Sequence, residues 1–498
     1  MKEVKDSSKQ LIKGTIIVMI GLVLGKLIGY IYTILVARIG SEIFGLYSLG
    51  VSIISFLIIL SLFGLKSGIV RYVSYYKAKK DDSRIKGIIL SSLKISVFLS
   101  IVFSIIILVF SEFISNHIFH NPSLNIVLKI LAVSIPFIVG MEIFSGIFTA
   151  FKKIEYSVFI TEIFEKLVKL VLLFILIYVG FKLEAVILSY LISIIISFTL
   201  SLYFLQKVYP LFRNKIKSIE IKKELIIYSF PLLFSGFLAS IVRFIDIIMI
   251  GFFRSASEVG IYNVALSTSY LMVIIPTSIM SLFLPIITEK YGKKSYKDIK
   301  EISKKVARWI LTLNLIIFVF IIAFSQEILK LVFGQEYILG NSSLIILSVG
   351  YLIFSFVHIH SSYLLMIKKT KITLLINIIM ALLNVILNLY LIPKYGIIGG
   401  AVATSISLTV SYLLFFYFSY KDNKINPYEW NFLKPLTISI LIFLVILATK
   451  NLYQITIMNM AIIGIISSIV YLLFLFYAKW FGKEDIGIIK LVIKKIKK

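Results

Sequence analysis

Fourteen long apolar runs constrain this chain more than any other feature of its sequence. A helix that crosses a bilayer needs about 20 apolar residues. Soluble proteins carry about 25% charged residues, whereas 15% of these 498 residues are charged and 59% are apolar. Soluble multidomain folds and disorder are therefore excluded. The runs lie at 14–37, 43–65, 88–110, 128–150, 157–180, 185–206, 226–253, 259–287, 306–325, 343–366, 372–392, 398–420, 435–450 and 456–477.

The pattern predicts an all-α, polytopic membrane protein with about 14 transmembrane helices. The first run is interpreted as a retained helix because no small-residue cleavage site follows it. Cysteine is absent, which excludes thiolate metal sites and cysteine nucleophiles, and only four His are present. No cofactor and no metal are predicted.

The distribution of Lys and Arg predicts the orientation of the chain. The two tails and the even-numbered connections hold 40 basic residues, and the odd-numbered connections hold 7. Basic loops remain on the cytoplasmic side, so both termini are predicted in the cytoplasm and the protein in the cell membrane. The net charge of +28 is then a topology signal, and nucleic acid is not expected as a partner.

Two stretches recur at an offset of about 215 residues. Gly45 and Tyr47 return as Gly260 and Tyr262, and Lys152-Lys153 returns as Lys368-Lys369. The repeat unit contains six helices, so its copies would share one orientation and be related by an axis along the membrane normal.

This repeat predicts two parallel six-helix lobes around a central cleft, plus two extra helices. The predicted divisions are an N-terminal lobe at 1–206, a basic cytoplasmic linker at 207–225, a C-terminal lobe at 226–420, helices 13 and 14 at 421–477, and a basic cytoplasmic tail at 478–498.

Three segments resemble the polysaccharide and oligosaccharide-lipid flippase family, in the superfamily that also holds the MATE transporters and the peptidoglycan lipid flippases. They are Ala37-Arg38 through Ser48, Tyr228 through Tyr262, and Asn384 through Thr404. Gly400 departs slightly from the family pattern, in which Ala is frequent. The resemblance implies flipping of polyprenyl-diphosphate-linked glycans from the cytoplasmic to the outer leaflet, with membrane lipids and glycan-assembly enzymes as partners.

Four basic residues lie well inside predicted spans, away from the span ends, where a lipid-facing charge costs at least about 2.5–3.5 kcal/mol. Lys26, Arg243, Lys166 and Lys169 are therefore candidate contacts for an anionic diphosphate. The alternative is internal neutralisation, because Glu162–Lys166, Glu165–Lys169 and Arg243–Asp246 have helical pair spacing. Lys94 lies near a helix end, and we expect it to reach the interface.

Other polar residues in the spans are candidates for ion coupling or sugar binding. Glu142 and His358 are equivalent in the repeat, and with Asp246 they are candidates for proton coupling. The alternative is a buried side chain that bonds a neighbouring hydroxyl. Asn384 shares a helix face with Asn377 and Asn388, which fits either sugar hydroxyls or a neighbouring helix. His360 points away from His358, so the two do not form a metal site.

The leading hypothesis is a lipid-linked glycan flippase that works by alternating access and makes or breaks no bond. A MATE-type drug or cation antiporter is one alternative, which Lys26 disfavours. A polytopic glycan polymerase or ligase is another. Its acid–base groups would come from short outer loops that contain Glu112, His117, His120, Glu327 and Glu336.

Overall fold

The computed structural model describes residues 2–211, 216–450 and 455–482. Within these ranges the secondary structure is helical, and no strand is present. The helices are α1 (Lys2–Ile39), α2 (Ser41–Leu62), α3 (Leu65–Ala78), α4 (Asp82–Phe113), α5 (Ser123–Ala150), α6 (Ile154–Val158), α7 (Glu165–Tyr178), α8 (Leu183–Val208), α9 (Lys222–Phe253), α10 (Ala256–Ser269), α11 (Ile274–Gly292), α12 (Tyr296–Ala323), α13 (Ser325–Glu327), α14 (Asn341–Phe354), α15 (Val357–Met366), α16 (Thr370–Asn423), α17 (Leu433–Lys450) and α18 (Ile457–Tyr477).

The all-α membrane fold is confirmed, since each of the fourteen predicted runs falls on helical structure. The described residues contain twelve helical segments long and apolar enough to cross a membrane. Two runs explain the difference from fourteen. The segment 154–178, which contains a π-helical turn at Phe159–Phe164, is too polar to be counted because it carries the charged residues Glu162, Glu165, Lys166 and Lys169. α16 contains two predicted runs joined at Gly396, where the backbone leaves helical geometry.

The sequence interpretation missed α3 and treated its residues as a connection. Phe63 and Gly64 both have left-handed backbone conformations, which end α2 and redirect the chain. α3 mixes apolar with basic and aromatic residues, so it does not appear as an apolar run. It nevertheless packs closely on α5 and on α9.

The chain forms two compact units. The first consists of Met1–Val264 with Ala381–Gly400, and the second of Ala265–Met380 with Ala401–Lys498. The predicted superposition of two six-helix lobes stays a prediction.

In the first unit, α5 packs between α4 and α8. Both neighbours carry buried serines every four residues, and small side chains let membrane helices approach closely. Ser104 donates a hydrogen bond to the carbonyl of Ala132 at 2.8 Å, which fixes the α4–α5 contact. The serines are Ser92, Ser96, Ser100 and Ser104 in α4, and Ser189, Ser193, Ser197 and Ser201 in α8.

Part of the linker runs along the start of α4 in the first unit. Ile219 donates its backbone N–H to the Ser83 carbonyl at 3.0 Å, and Lys86 bonds the Ile216 carbonyl at 3.0 Å. Glu220 forms ion pairs with Lys222 at 2.7 Å and with Lys94 at 3.7 Å. The hydrogen bond from Lys222 lowers the pKa of the Glu220 carboxyl.

In the second unit, α12 packs against α11, α14 and α17. Phe283, Ile287, Ile310 and Tyr363 belong to one buried apolar cluster of this unit. The predicted tail 478–498 lies outside the described residues beyond residue 482, and so does 212–215 of the predicted linker.

Candidate functional site

The candidate site is built on the contact between α1 and the π-helical turn Phe159–Phe164. A Cβ at Gly25 would lie 2.6 Å from the carbonyl oxygen of Glu162, so only glycine permits this approach. Gly21 and Gly29 lie one turn before and after, facing Val158 and Lys166. The contact places Lys26, the next residue of α1, beside the charged face of this segment.

Lys26 lies among charged groups of the first unit. Arg243, Glu162 and Lys166 all lie within range of electrostatic interaction with its ammonium group. Lys166 forms a 2.6 Å ion pair with Glu162, and both side chains are mostly buried. These four groups are three cations and one carboxylate, so positive charge is in excess among them.

Arg243 lies on α9 with its guanidinium 5.1 Å from the ring of Phe244. Among the described residues no carboxylate forms an ion pair with it. The Arg243–Asp246 pair considered in the sequence analysis is not formed, because Asp246 is turned to other partners. Arg243 consequently keeps its hydrogen-bond donors available for a ligand.

Asp246 is buried in a hydrogen-bond network of the first unit. Tyr262 donates its hydroxyl to Oδ2 at 2.7 Å, and Asn388 donates its amide to Oδ1 at 2.5 Å. Asn388 also contacts the Oδ1 atom of Asn384 at 3.2 Å. The predicted asparagine face thus serves contacts between helices in this conformation.

Lys169 lies in an aromatic cage rather than beside Lys26. Its ammonium group is 4.8 Å from the ring centre of Tyr32 and 5.3 Å from that of Tyr190. Glu165 is 3.7 Å away, and both charged side chains are largely buried. A substrate contact of Lys169 would require this pair to separate, so its predicted binding role stays a prediction.

The two repeat-related coupling candidates have different surroundings. Glu142 of α5 forms a 2.6 Å ion pair with Lys66 of α3. In the second unit, His358 packs against Phe354, and its Nε2 atom is buried without a hydrogen-bond partner in the described structure. His360 instead bonds the hydroxyls of Ser419 and Tyr428 at 2.9 Å each.

The sequence analysis did not single out Arg254, which holds the kink in α16. Its guanidinium donates to the carbonyl of Pro393 at 2.9 Å and contacts the carbonyl of Ile392 at 3.4 Å. These carbonyls lie just before Gly396, whose φ is 57°. The Pro393 to Gly396 spacing was a usable signal, since proline and glycine together mark a helix interruption.

The two copies of the repeated motif contact each other in the first unit. Ser41 and Ser257 share a hydrogen bond of 2.7 Å, and Asn263 donates to Ser48 at 2.6 Å. Gly45 faces the Ala256 carbonyl and Gly260 faces the Ser41 carbonyl, with no room for a Cβ at either position. The start of α2 therefore crosses the start of α10 at backbone contact.

Metal-ligating side chains do not gather anywhere in the described ranges: no group of three or more His, Cys, Asp or Glu could hold an ion there. The alternative acid–base group Glu327 is held in a 2.7 Å ion pair with Lys450.

Comparison with known proteins agrees with this architecture. The chain is 31% identical to the probable low-salt glycan biosynthesis flippase Agl15 of Haloferax volcanii over 34% of this chain and 36% of that protein. It is 23% identical to a putative O-antigen transporter of Shigella flexneri over 76% and 89% of the two chains.

A solved structure of the lipid II flippase MurJ in an inward closed conformation has a similar fold. The TM-score is 0.75 at 19% identity, covering 93% of this chain and 99% of that one. The MatE family model matches residues 231–390. The family model described as polysaccharide biosynthesis protein matches residues 11–291, more than half of the chain. The chain therefore belongs to the polysaccharide biosynthesis protein family.

Proposed function

We propose that this protein flips a polyprenyl-diphosphate-linked oligosaccharide or polysaccharide repeat unit from the cytoplasmic to the outer leaflet by alternating access. The observation that carries the proposal is the excess of positive charge among Lys26, Lys166, Arg243 and Glu162, of which three are cations. A diphosphate needs its charge compensated as it crosses the bilayer, and cations held on helices supply that compensation.

Arg243 and Lys26 are assigned as the first contacts of the diphosphate. Arg243 has no ion pair among the described residues, and a guanidinium can grip two phosphate oxygens at once. Lys166 forms a 2.6 Å ion pair with Glu162, so it can bind the phosphate only if the incoming anion displaces the Glu162 carboxylate. This competition would make binding reversible, which transport requires.

Two further residues are proposed to contact the substrate. Lys169 would add charge if the Glu165 pair opened, and Asn384 would bond a sugar hydroxyl if its contact with Asn388 were exchanged. Both contacts require a conformation different from the one described, so they belong to a later step of the cycle.

The proposed cycle makes or breaks no covalent bond, and we assign no enzymatic activity. The polyprenyl tail stays in lipid while the charged head crosses between the lobes. Glycan-assembly enzymes would supply the substrate.

Glu142, His358 and Asp246 are proposed to take part in coupling to protons. The Lys66 pair of Glu142 would have to open when the carboxyl is protonated. Glu142→Gln or His358→Ala should flatten the pH dependence of transport, measured in proteoliposomes. An unchanged pH profile in both variants would assign these residues to packing.

Both termini are proposed to lie in the cytoplasm, with the protein in the cell membrane. The basic connections support this orientation. Cysteines introduced at Ser83 and Lys294 should be labelled from inside only, and one at Ser342 from outside only. The reverse pattern would invert the topology.

The MATE-type antiporter is less favoured as a function. The MatE model matches one third of the chain, at residues 231–390. A cation substrate would be repelled by the charge at Lys26, Lys166 and Arg243, whereas an anionic head would be attracted. The positive charge at the site therefore favours a flippase for an anionic lipid over a cation antiporter.

The test is flipping of a polyprenyl-diphosphate oligosaccharide in proteoliposomes. Removing a charge-assisted phosphate contact worth about 1.5–3 kcal/mol should reduce the affinity for the substrate about 10- to 100-fold in Lys26→Ala and Arg243→Ala. Lys26→Arg should keep part of the activity because the charge is retained. Lys94→Ala is the control and should change little, because Lys94 is exposed beside Glu220.

Charge reversal decides the proposal. If Lys26→Glu or Arg243→Glu is inserted normally and still flips the anionic lipid at the wild-type rate, these cations do not contact the substrate.

A further inference from the structure

A cluster of exposed lysines lies where two membrane spans of the first unit end. One span ends at Ala78 and another at Ala150. Five exposed lysines follow or flank these ends, and we call them the lysine cluster: Lys77, Lys79, Lys80, Lys152 and Lys153. The apolar run that ends at residue 150 predicts that Lys152 and Lys153, with Lys77 near them, lie close to the depth of lipid headgroups.

The lysine cluster is poorly neutralised. Lys77 experiences repulsion from Lys152 and Lys153. Glu155, 3.7 Å from Lys153, is the one carboxylate in ion-pair range of these five lysines among the described residues. The neighbouring Asp81 is already paired with Arg84 at 3.0 Å. The cluster therefore keeps a positive charge that another partner can compensate.

Aromatic rings hold two of these ammonium groups. Lys77 lies 4.4 Å from the ring centre of Phe151, and Lys79 lies 4.5 Å from that of Tyr75. Tyr75 is half-exposed, and tyrosine rings prefer the boundary between membrane and water. Both features fit a surface that faces lipid headgroups rather than open solvent.

Two lysines of the cluster have an unusual backbone conformation. Lys80 and Lys152 have φ values of 57° and 60°, the left-handed conformation that glycine adopts most easily. Lysine near a helix C-terminus also interacts favourably with the helix dipole, so the test includes glycine at these two positions.

We propose that the lysine cluster binds the phosphate groups of anionic phospholipids. The charge complementarity and the depth at the ends of two spans identify a lipid headgroup as the occupant. Each basic side chain near an anionic membrane surface contributes about 1 kcal/mol. Three such side chains together correspond to a change of roughly 100-fold in lipid retention, and screening by salt weakens the contact.

The test uses the full chain in nanodiscs of phosphatidylcholine with or without phosphatidylglycerol. Phosphatidylglycerol should raise the unfolding temperature and stay bound in native mass spectra. The variant Lys77→Gln with Lys152→Gln and Lys153→Gln should lose both effects. The matched control is Lys129→Gln with Lys182→Gln and Lys330→Gln, which removes the same charge from other exposed lysines and should keep both effects.

Two further arms separate the alternatives. Lys80→Gly with Lys152→Gly should weaken lipid retention although glycine relieves the backbone. If this variant instead keeps the wild-type rise in unfolding temperature with phosphatidylglycerol and is more stable than the wild type in both lipids, these lysines serve the helix ends and the proposal is overturned. Inorganic phosphate added to phosphatidylcholine nanodiscs should not reproduce the shift. Equal lipid retention by the cluster and control variants, or a full effect of inorganic phosphate, would also overturn it.

Discussion

Residues 154–178 and 370–395 are equivalent in the internal repeat but differ in structure and charge. The first segment contains α6, a π-helical turn and α7, whereas the second runs as one α-helix up to Gly396. At an offset of 216, the charged residues Glu162, Glu165, Lys166 and Lys169 correspond to Ile378, Ala381, Leu382 and Val385.

Within the predicted repeat, the two equivalent segments therefore carry different chemistry. In the first copy the ion pairs lie beside the close contact of Gly25 with Glu162. In the second copy Asn384 and Asn388 are used in the hydrogen bonds around Asp246. Of the cations at the candidate site, Lys26 and Lys166 belong to the first copy and Arg243 to the second.

The copies remain alike where α2 crosses α10, and breaking that likeness should have the largest effect. Ser41→Cys with Ser257→Cys places two thiols where the hydroxyls are 2.7 Å apart, in a chain without cysteine. Oxidation should abolish flipping because the crossing could no longer separate, and a reductant should restore it. The readout is flipping in proteoliposomes before and after reduction.

Each single cysteine variant is the control and should transport normally under oxidation. Full transport by the cross-linked protein would show that this crossing stays closed throughout the cycle.

Converting the charged copy toward its apolar equivalent should have the next largest effect. Lys166→Leu introduces the residue type found at position 382 and leaves Glu162 without its 2.6 Å partner. We expect flipping to fall about 10- to 100-fold, from the loss of one charge-assisted contact. The double variant Glu162→Gln with Lys166→Leu separates the unpaired carboxylate from the lost cation.

The reverse change sharpens the same comparison. Leu382 is 57% exposed, so Leu382→Lys should lower the yield of inserted protein more than its specific activity. A strong loss of specific activity in Leu382→Lys would contradict the asymmetry between the copies.

Removing the asparagine partner of Asp246 should have a moderate effect on stability. Asn388→Leu leaves the Oδ1 atom of a buried carboxylate without its 2.5 Å donor. An unsatisfied buried group costs about 1–3 kcal/mol, so the free energy of unfolding in detergent should fall by about that amount. Asn377→Leu is the matched control, and an equal loss there would point to a general effect of asparagine.

The smallest effect should come from the connection between the repeats. The lowered pKa of Glu220 means that its pairs with Lys222 and Lys94 stabilise the fold above the ordinary carboxyl pKa of about 4.3. That contribution is lost as the pH falls through the lowered pKa. The protection factor for hydrogen exchange at Ile219, which corrects for the intrinsic pH dependence of amide exchange, should therefore fall at acid pH in the wild type, and it should be low at every pH in Glu220→Gln.

Predicted site residues with the same spacing along a helix have different side-chain partners in the structure. Glu162–Lys166 and Glu165–Lys169 have the same i,i+4 spacing, but only the Lys169 ammonium lies over two tyrosine rings. Arg243 and Asp246 have pairing distance along the helix, yet Asp246 bonds Tyr262 and Asn388. The spacing of residues in a sequence predicts pairs within one helix, whereas these side chains contact residues of other helices.

Hydropathy and the distribution of basic residues determined the helical membrane fold, because lipid leaves a backbone few alternatives to helices. The sequence also determined which positions carry charge inside the spans and that two segments repeat. Only the tertiary structure decided which charges are neutralised, since neutralisation depends on contacts between helices far apart in the chain. The approach of Gly25 to Glu162 and the crossing of Gly45 with Gly260 are such contacts. The glycine spacing along α1 is visible in the sequence, but it does not say which segment each glycine meets.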